Sequence, residues 1–135
     1  METITIQQDI PVFYVPATSF PEGIMAAHQQ LHALVPFSTG RRYFGISRPE
    51  DGKIRYKAAA EELEPGEAEK FHCKKLVLKK GRYISETVLD YAKDDQLIAK
   101  TFQQLLEQPG LDPQGYCVEW YISGKDVRCM VRLED

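Results

Sequence analysis

The chain has 135 residues, enough for one domain with a hydrophobic core and too few for two. Apolar residues make up 43% and charged residues 27%, the balance of an ordinary globular protein rather than a disordered chain. A net charge of −3 argues against nucleic-acid binding as the main role, because phosphate recognition needs clustered excess lysine and arginine.

The opening segment, "ETITIQQDIPVFYVPA", is β-branched and aromatic with Pro11 interrupting it, so it reads as one broken strand or two short ones. A helix is predicted over "PEGIMAAHQQLHALV". Pro21 suits its first turn, Ile24, Ala27, Leu31, Leu34 and Val35 recur at helical spacing, and Pro36 and Gly40 end it. Two runs on either side of "PEDG" then give a hairpin signal. "EPGEAEK" reads as a polar connection.

"FHCKKLVLKKGRYI" follows as a strand ending at Gly81, its lysines alternating with apolar residues as on a guarded sheet edge. "SETVLDYAKDDQLIAKTFQQLLEQ" is predicted to be one long helix with Ser85 as N-cap. Val88, Tyr91, Ala92, Ile98, Phe102, Leu105 and Leu106 form its stripe, and Lys93–Asp95 is a place for it to bend. "PGLDPQG" stops it, and "YCVEWYISGKDVRCMVRL" closes the chain as a second hairpin.

The order β-α-β-β therefore occurs twice, over about residues 2–62 and 72–134 of a single domain spanning 1–135. The expected class is α+β: a curved, mainly antiparallel sheet with two helices on one face and a ligand cleft on the other.

A charge in a strand interior needs a wet face, a partner or a ligand, which singles out Glu119 between Cys117 and Tyr121. With Gly124 and Lys125 at the tip of a tight turn, Val118, Trp120, Ile122, Val127, Cys129, Val131 and Leu133 share one parity and are expected to face the helices. Phe44 and Ile46 do the same in the first hairpin. Cys117, Glu119, Tyr121, Arg128, Met130 and Arg132 then lie on the far face. Two readings follow. Either Glu119 pairs with Arg128 or Arg132 across the hairpin, or it sits in a groove walled by Tyr43, Tyr56, Tyr121 and Met130, with Gly45 keeping the floor open. The second arrangement suits a hydrophobic cation, through aromatic faces and an ion pair in low dielectric.

Other constellations are weaker. His28 and His32 stand at i, i+4 without a third ligand, so they are expected on the surface rather than on zinc, and no histidine has an axial setting for haem. No cofactor is expected. Cys73, Cys117 and Cys129 form no metal or redox motif, and a carboxylate beside Cys117 argues against a reactive thiol. With neither a secretory leader nor a membrane span in the sequence, the expectation is a cytoplasmic protein with free thiols.

The doubled element order, "RRYFGI" at Arg41–Ile46, "LKKGRYIS" and "YCVEWYI" together resemble the GyrI-like domain, also described as the AraC-type effector-binding domain, over nearly the whole chain. That resemblance implies a bacterial small-molecule-binding fold with a central cleft. A glutamate in "E-x-Y" of the penultimate strand meets cationic aromatic ligands, which falls on Glu119 with Tyr121 beside it. Many members serve transcription regulation and multidrug binding as modules fused to a DNA-binding region. The strand-rich start here leads to the expectation of a stand-alone domain without direct nucleic-acid binding. The ligand-binding set is then Glu119, Tyr121, Tyr43, Tyr56, Gly45 and Met130. The family also implies two alternatives. One is a hydrolase resembling those that open strained cyclopropane-containing DNA alkylators, with Glu119 activating water and Tyr121 or Tyr56 assisting. The other is a protein-interaction module whose partner is a regulator or gyrase.

Overall fold

In the computed structural model, which describes residues 1–135, the elements follow as β1 (Glu2–Ile6), β2 (Ile10–Pro16), α1 (Ile24–Leu34), β3 (Tyr43–Glu50), β4 (Lys53–Glu61), α2 (Glu67–Lys70), β5 (Lys74–Leu78), β6 (Gly81–Val88), α3 (Leu97–Leu106), β7 (Cys117–Tyr121) and β8 (Val127–Arg132). All eight strands join one sheet in the order β1-β6-β8-β7-β3-β4-β2-β5, each neighbour antiparallel to the next.

This order cannot be flat. β1 and β2 hold the first and seventh places, yet only Gln7–Asp9 join them. Such a loop reaches about 15 Å, whereas six flat strand spacings cover roughly 29 Å. Lys79 and Lys80 impose the same closure between β5, at the far edge, and β6. The sheet therefore curls, and Ile6 of one edge strand and Leu78 of the other belong to a single buried cluster with Ile10, Phe44, Ile46, Val118 and Met130. This cluster fills the inside of the curl.

The order also has an internal symmetry. β-β-α-β-β occurs twice, and the first strand of each set crosses over to pair with the second strand of the other: β1 with β6, β5 with β2. β3 and β7 meet at the centre. The α+β class with a curved antiparallel sheet is as the sequence led one to expect, and both longer helices cover one face. α1 lies over Phe13, Val15, Ala58 and Ala60, whose small side chains let it approach closely. α3 lies over Val127, Cys129 and Val131.

Two expectations are corrected. Ser85 does not cap a long helix: Gly81–Val88 is a strand in which Ser85 is fully buried, and α3 begins only at Leu97. Tyr83, Ile84, Thr87 and Val88 favour extended backbone, and Asp90 adopts a left-handed conformation that no continuing helix accepts. Tyr91 sits instead in a single 3-10 turn.

The second hairpin also has a different register. Tyr121 faces Val127 across a five-residue loop held by Ser123, whose hydroxyl accepts from the Lys125 and Asp126 amides. A one-residue slip turns every side chain of a strand over. Cys117, Glu119 and Tyr121 therefore share the helix-covered face with Cys129 and Val131, while Val118 and Trp120 point the other way. β3 is reversed likewise: Tyr43 and Gly45 look towards the helices, and Phe44 and Ile46 are core inside the curl. The cleft thus opens on the helix side, because the other side is filled by its own core.

Candidate functional site

Glu119 stands mid-strand in β7, opposite Gly45 of β3, near the centre of the sheet. Tyr56 reaches it from β4 and Tyr121 from two residues along its own strand. Both phenols donate to the same carboxylate oxygen, Glu119 Oε1, at 2.8 and 2.6 Å. The Tyr56 oxygen lies 2.7 Å from His28 Nε2 of α1. Tyr56 has one proton and gives it to Glu119, so its oxygen accepts from His28, which fixes the ring proton on Nε2. A chain of hydrogen bonds thus runs from helix to strand: His28, Tyr56, Glu119, Tyr121.

The electrostatics follow from burial. Glu119 is crowded by protein, which raises its pKa, while the two phenol hydrogen bonds act the other way. Tyr56 and Tyr121 are held well above the ordinary phenol range by burial and by the neighbouring carboxylate. His28 is lowered to about 4 by burial and by His32, so it is neutral at physiological pH. Cys117 is pushed up to about 11 by burial and by Glu119, which keeps it a thiol.

Glu119 has no cation beside it. Arg132 lies on the opposite face, paired with Asp112 at 3.0 Å and Asp135 at 2.9 Å. Arg128, on that face too, stands 3.9 Å from Glu2 and over the Trp120 ring. The pairing reading from the sequence is therefore set aside by the register. Glu119 Oε2 has no hydrogen-bond partner and is not sealed from solvent.

Above this cluster a cleft of about 590 Å3 opens between α1, the chain after it and the β7–β8 loop, lined by His28, His32, Phe37, Tyr43, Tyr91 and Tyr121 among others. His28 and Tyr121 meet edge to face at 5.3 Å, and Tyr91 packs on Tyr121 at 5.8 Å. Tyr91 is pinned there by its amide, which donates to the Lys125 carbonyl. Tyr43 stacks on Phe37 with centroids 5.4 Å apart, and its hydroxyl accepts from the Ser38 amide. Arg41, on the cleft wall, is held by both oxygens of Glu67.

The structure therefore brings Glu119, Tyr121, Tyr56 and Gly45 together and places Tyr43 on the cleft wall. Met130 is elsewhere: it is fully buried inside the curl, on the far side of the sheet. His28 was expected on the surface and is part of the cluster. Its signal was present in the sequence, since His28 follows Ile24 by one turn and borders the buried Ala27 and Leu31. No three His, Cys, Asp or Glu side chains are arranged to hold a metal ion, and no helix is long and apolar enough to cross a membrane.

No family model and no curated protein sequence matches this chain. Solved structures share its fold, and three of them illustrate the likeness. The integron cassette protein VCH_CASS2 from the mobile metagenome of Vibrio cholerae superposes with a TM-score of 0.71 at 13% identity, over 98% of this chain and 95% of that one. SAV2435 bound to tetraphenylphosphonium gives 0.72 at 12%, over 98% and 93%. A hydrolase from Listeria innocua gives 0.64 at 12%, over 98% and 90%. At such identities the likeness is one of fold.

Proposed function

We propose that this chain is a small-molecule-binding domain of the GyrI-like type that takes up a hydrophobic, aromatic cation in the cleft above Glu119. One observation carries the reading: a carboxylate near the middle of the sheet has an unpartnered oxygen and no basic neighbour, and it lies beside an aromatic cleft whose wall includes its own partner Tyr121. A buried charge without a counter-ion is costly, and a cation that supplies one gains ion pairing in low dielectric together with contacts to ring faces. The fold shared with SAV2435, whose structure is bound to tetraphenylphosphonium, supports the same class of ligand.

Calorimetric titration of wild type and Glu119→Gln with tetraphenylphosphonium tests it. The expected result is saturable binding by wild type, weakened at least tenfold in the variant. Equal binding by both, or a wild type that binds neither tetraphenylphosphonium nor a protonated aromatic amine, would remove the reading.

The free Oε2 supports a second reading. A carboxylate whose proton affinity is raised by burial can take a proton from water, and Tyr121 beside it can stabilise a leaving oxygen. The likeness to a hydrolase from Listeria innocua is in keeping with it. Mass-spectrometric detection of a hydrated product from strained electrophiles, lost in Glu119→Gln, would favour catalysis.

A further inference from the structure

Beneath the cleft, behind the His28 and Tyr121 that line it, the cluster holds more than a charge. Tyr56 and Tyr121 both spend their protons on Glu119 Oε1, leaving Oε2 as a bare acceptor. His28 donates through Nε2 to Tyr56, so in the neutral ring Nδ1 carries a lone pair. Nδ1 makes no hydrogen bond within the protein and, like Oε2, is not sealed from solvent. The hydroxyl protons of the cluster are thus all directed inwards, and what it offers outwards is two acceptors. The hydroxyls of Tyr91 and Tyr43 on the cleft wall make no hydrogen bond to either of them, that of Tyr43 accepting instead from the Ser38 amide.

Resting on the cation-binding reading above, we infer that the ligand carries its charge on a nitrogen bearing at least one hydrogen, a protonated amine on an aromatic body, rather than on a fully substituted onium centre. A fully substituted cation displaces water from Oε2 and Nδ1 and returns no hydrogen bond, which leaves desolvated acceptors unpaired. An N–H cation satisfies Oε2 with a charge-assisted hydrogen bond while keeping the ion pair. Nδ1 receives a second N–H or hydroxyl on the same ligand, or a bridging water. The neutral state of His28 is kept by its surroundings, since burial and His32 both oppose its protonation. Arg41, the guanidinium on the wall, is engaged by Glu67 and competes for neither acceptor.

A matched pair of probes separates the two ligand types: naphthylmethyl-dimethylamine, protonated at neutral pH, and its N-methylated trimethylammonium analogue. The extra methyl adds apolar surface, so burial alone would favour the quaternary compound. By calorimetry on wild type, the amine is expected to bind about tenfold or more tightly. His28→Phe, its folding checked by thermal melting, is expected to narrow that preference, and Glu119→Gln to weaken both probes. If the quaternary probe binds wild type as tightly as the amine, while Glu119→Gln still weakens it, the N–H requirement is wrong and the cation-binding reading stands. If neither probe nor tetraphenylphosphonium binds wild type, both fall. The comparison rests on wild type, so it decides the matter even if a variant fails to fold.

Discussion

Gly45 and Glu119 face each other across the central β3–β7 pair, and the space that a β-carbon on Gly45 would occupy is held by the Tyr56 hydroxyl and by Glu119 Oε1. The glycine is needed for room rather than for an unusual backbone. Aligning the two hairpins as repeats puts Gly45 and Glu119 at equivalent positions, so one copy gives up its side chain where the other places the carboxylate.

Gly45→Ala should therefore force Tyr56 and Glu119 apart. Overpacking of this kind costs about 1–3 kcal/mol of stability. Chemical denaturation should report that loss, and tetraphenylphosphonium affinity should fall with it. A variant that keeps full stability would mean that Tyr56 moves aside freely and that the cluster is not rigid.

Tyr121→Phe removes the 2.6 Å hydrogen bond to Glu119 without changing the aromatic wall. Glu119 loses one of the interactions that hold its carboxylate pKa down, so its proton affinity rises further. Cation affinity measured against pH should fall, and the pH at which half of it is gained should move upwards. An unchanged pH profile would show that Tyr121 only packs.

Much of this fold could be read in the chain. The Asp51–Gly52 turn, with both residues at positive φ, the α1 stripe and the doubled hairpin all carry local signals. The face of the sheet did not. Both parities of β7 contain large or apolar residues, and only the length of the Ile122–Asp126 loop decides between them. The helical spacing in "SETVLDYAKDD" was an accident of a buried strand followed by a turn, and the strand's pairing with β1 and β8 prevailed over it. Glu119 could be found because a strand interior rarely carries a charge. His28 was harder, because its partner Tyr56 is 28 residues away and on the sheet.

Met130 makes a control for the site. It is fully buried inside the curl beside Phe44, Ile46 and Val118, with no access to the cleft. Met130→Ala should cost about 2–5 kcal/mol in denaturant unfolding and leave tetraphenylphosphonium affinity unchanged under conditions where the protein stays folded. A selective loss of affinity would place the binding surface on the wrong side of the sheet.

The cluster also predicts opposite pH limbs. The pKa of His28 is lowered in the folded state to about 4, so between there and its ordinary value of 6.5 the unfolded chain binds more protons. Its contribution is present above the ordinary value and is lost as the pH falls towards 4, by about 2 kcal/mol after allowing for the part of the ring that stays in contact with solvent. Glu119 works the other way. Its folded pKa is raised by burial, so the folded state binds the extra proton and stability declines as pH rises from the ordinary carboxylate range through the folded value. Glu119→Gln should therefore melt several degrees above wild type in mildly alkaline buffer, with the gap closing in acid. His28→Asn should flatten the acid limb only. A Glu119→Gln variant less stable than wild type at alkaline pH would mean that the carboxylate is already well compensated in the free protein, and the reason for it to seek a cation would be gone.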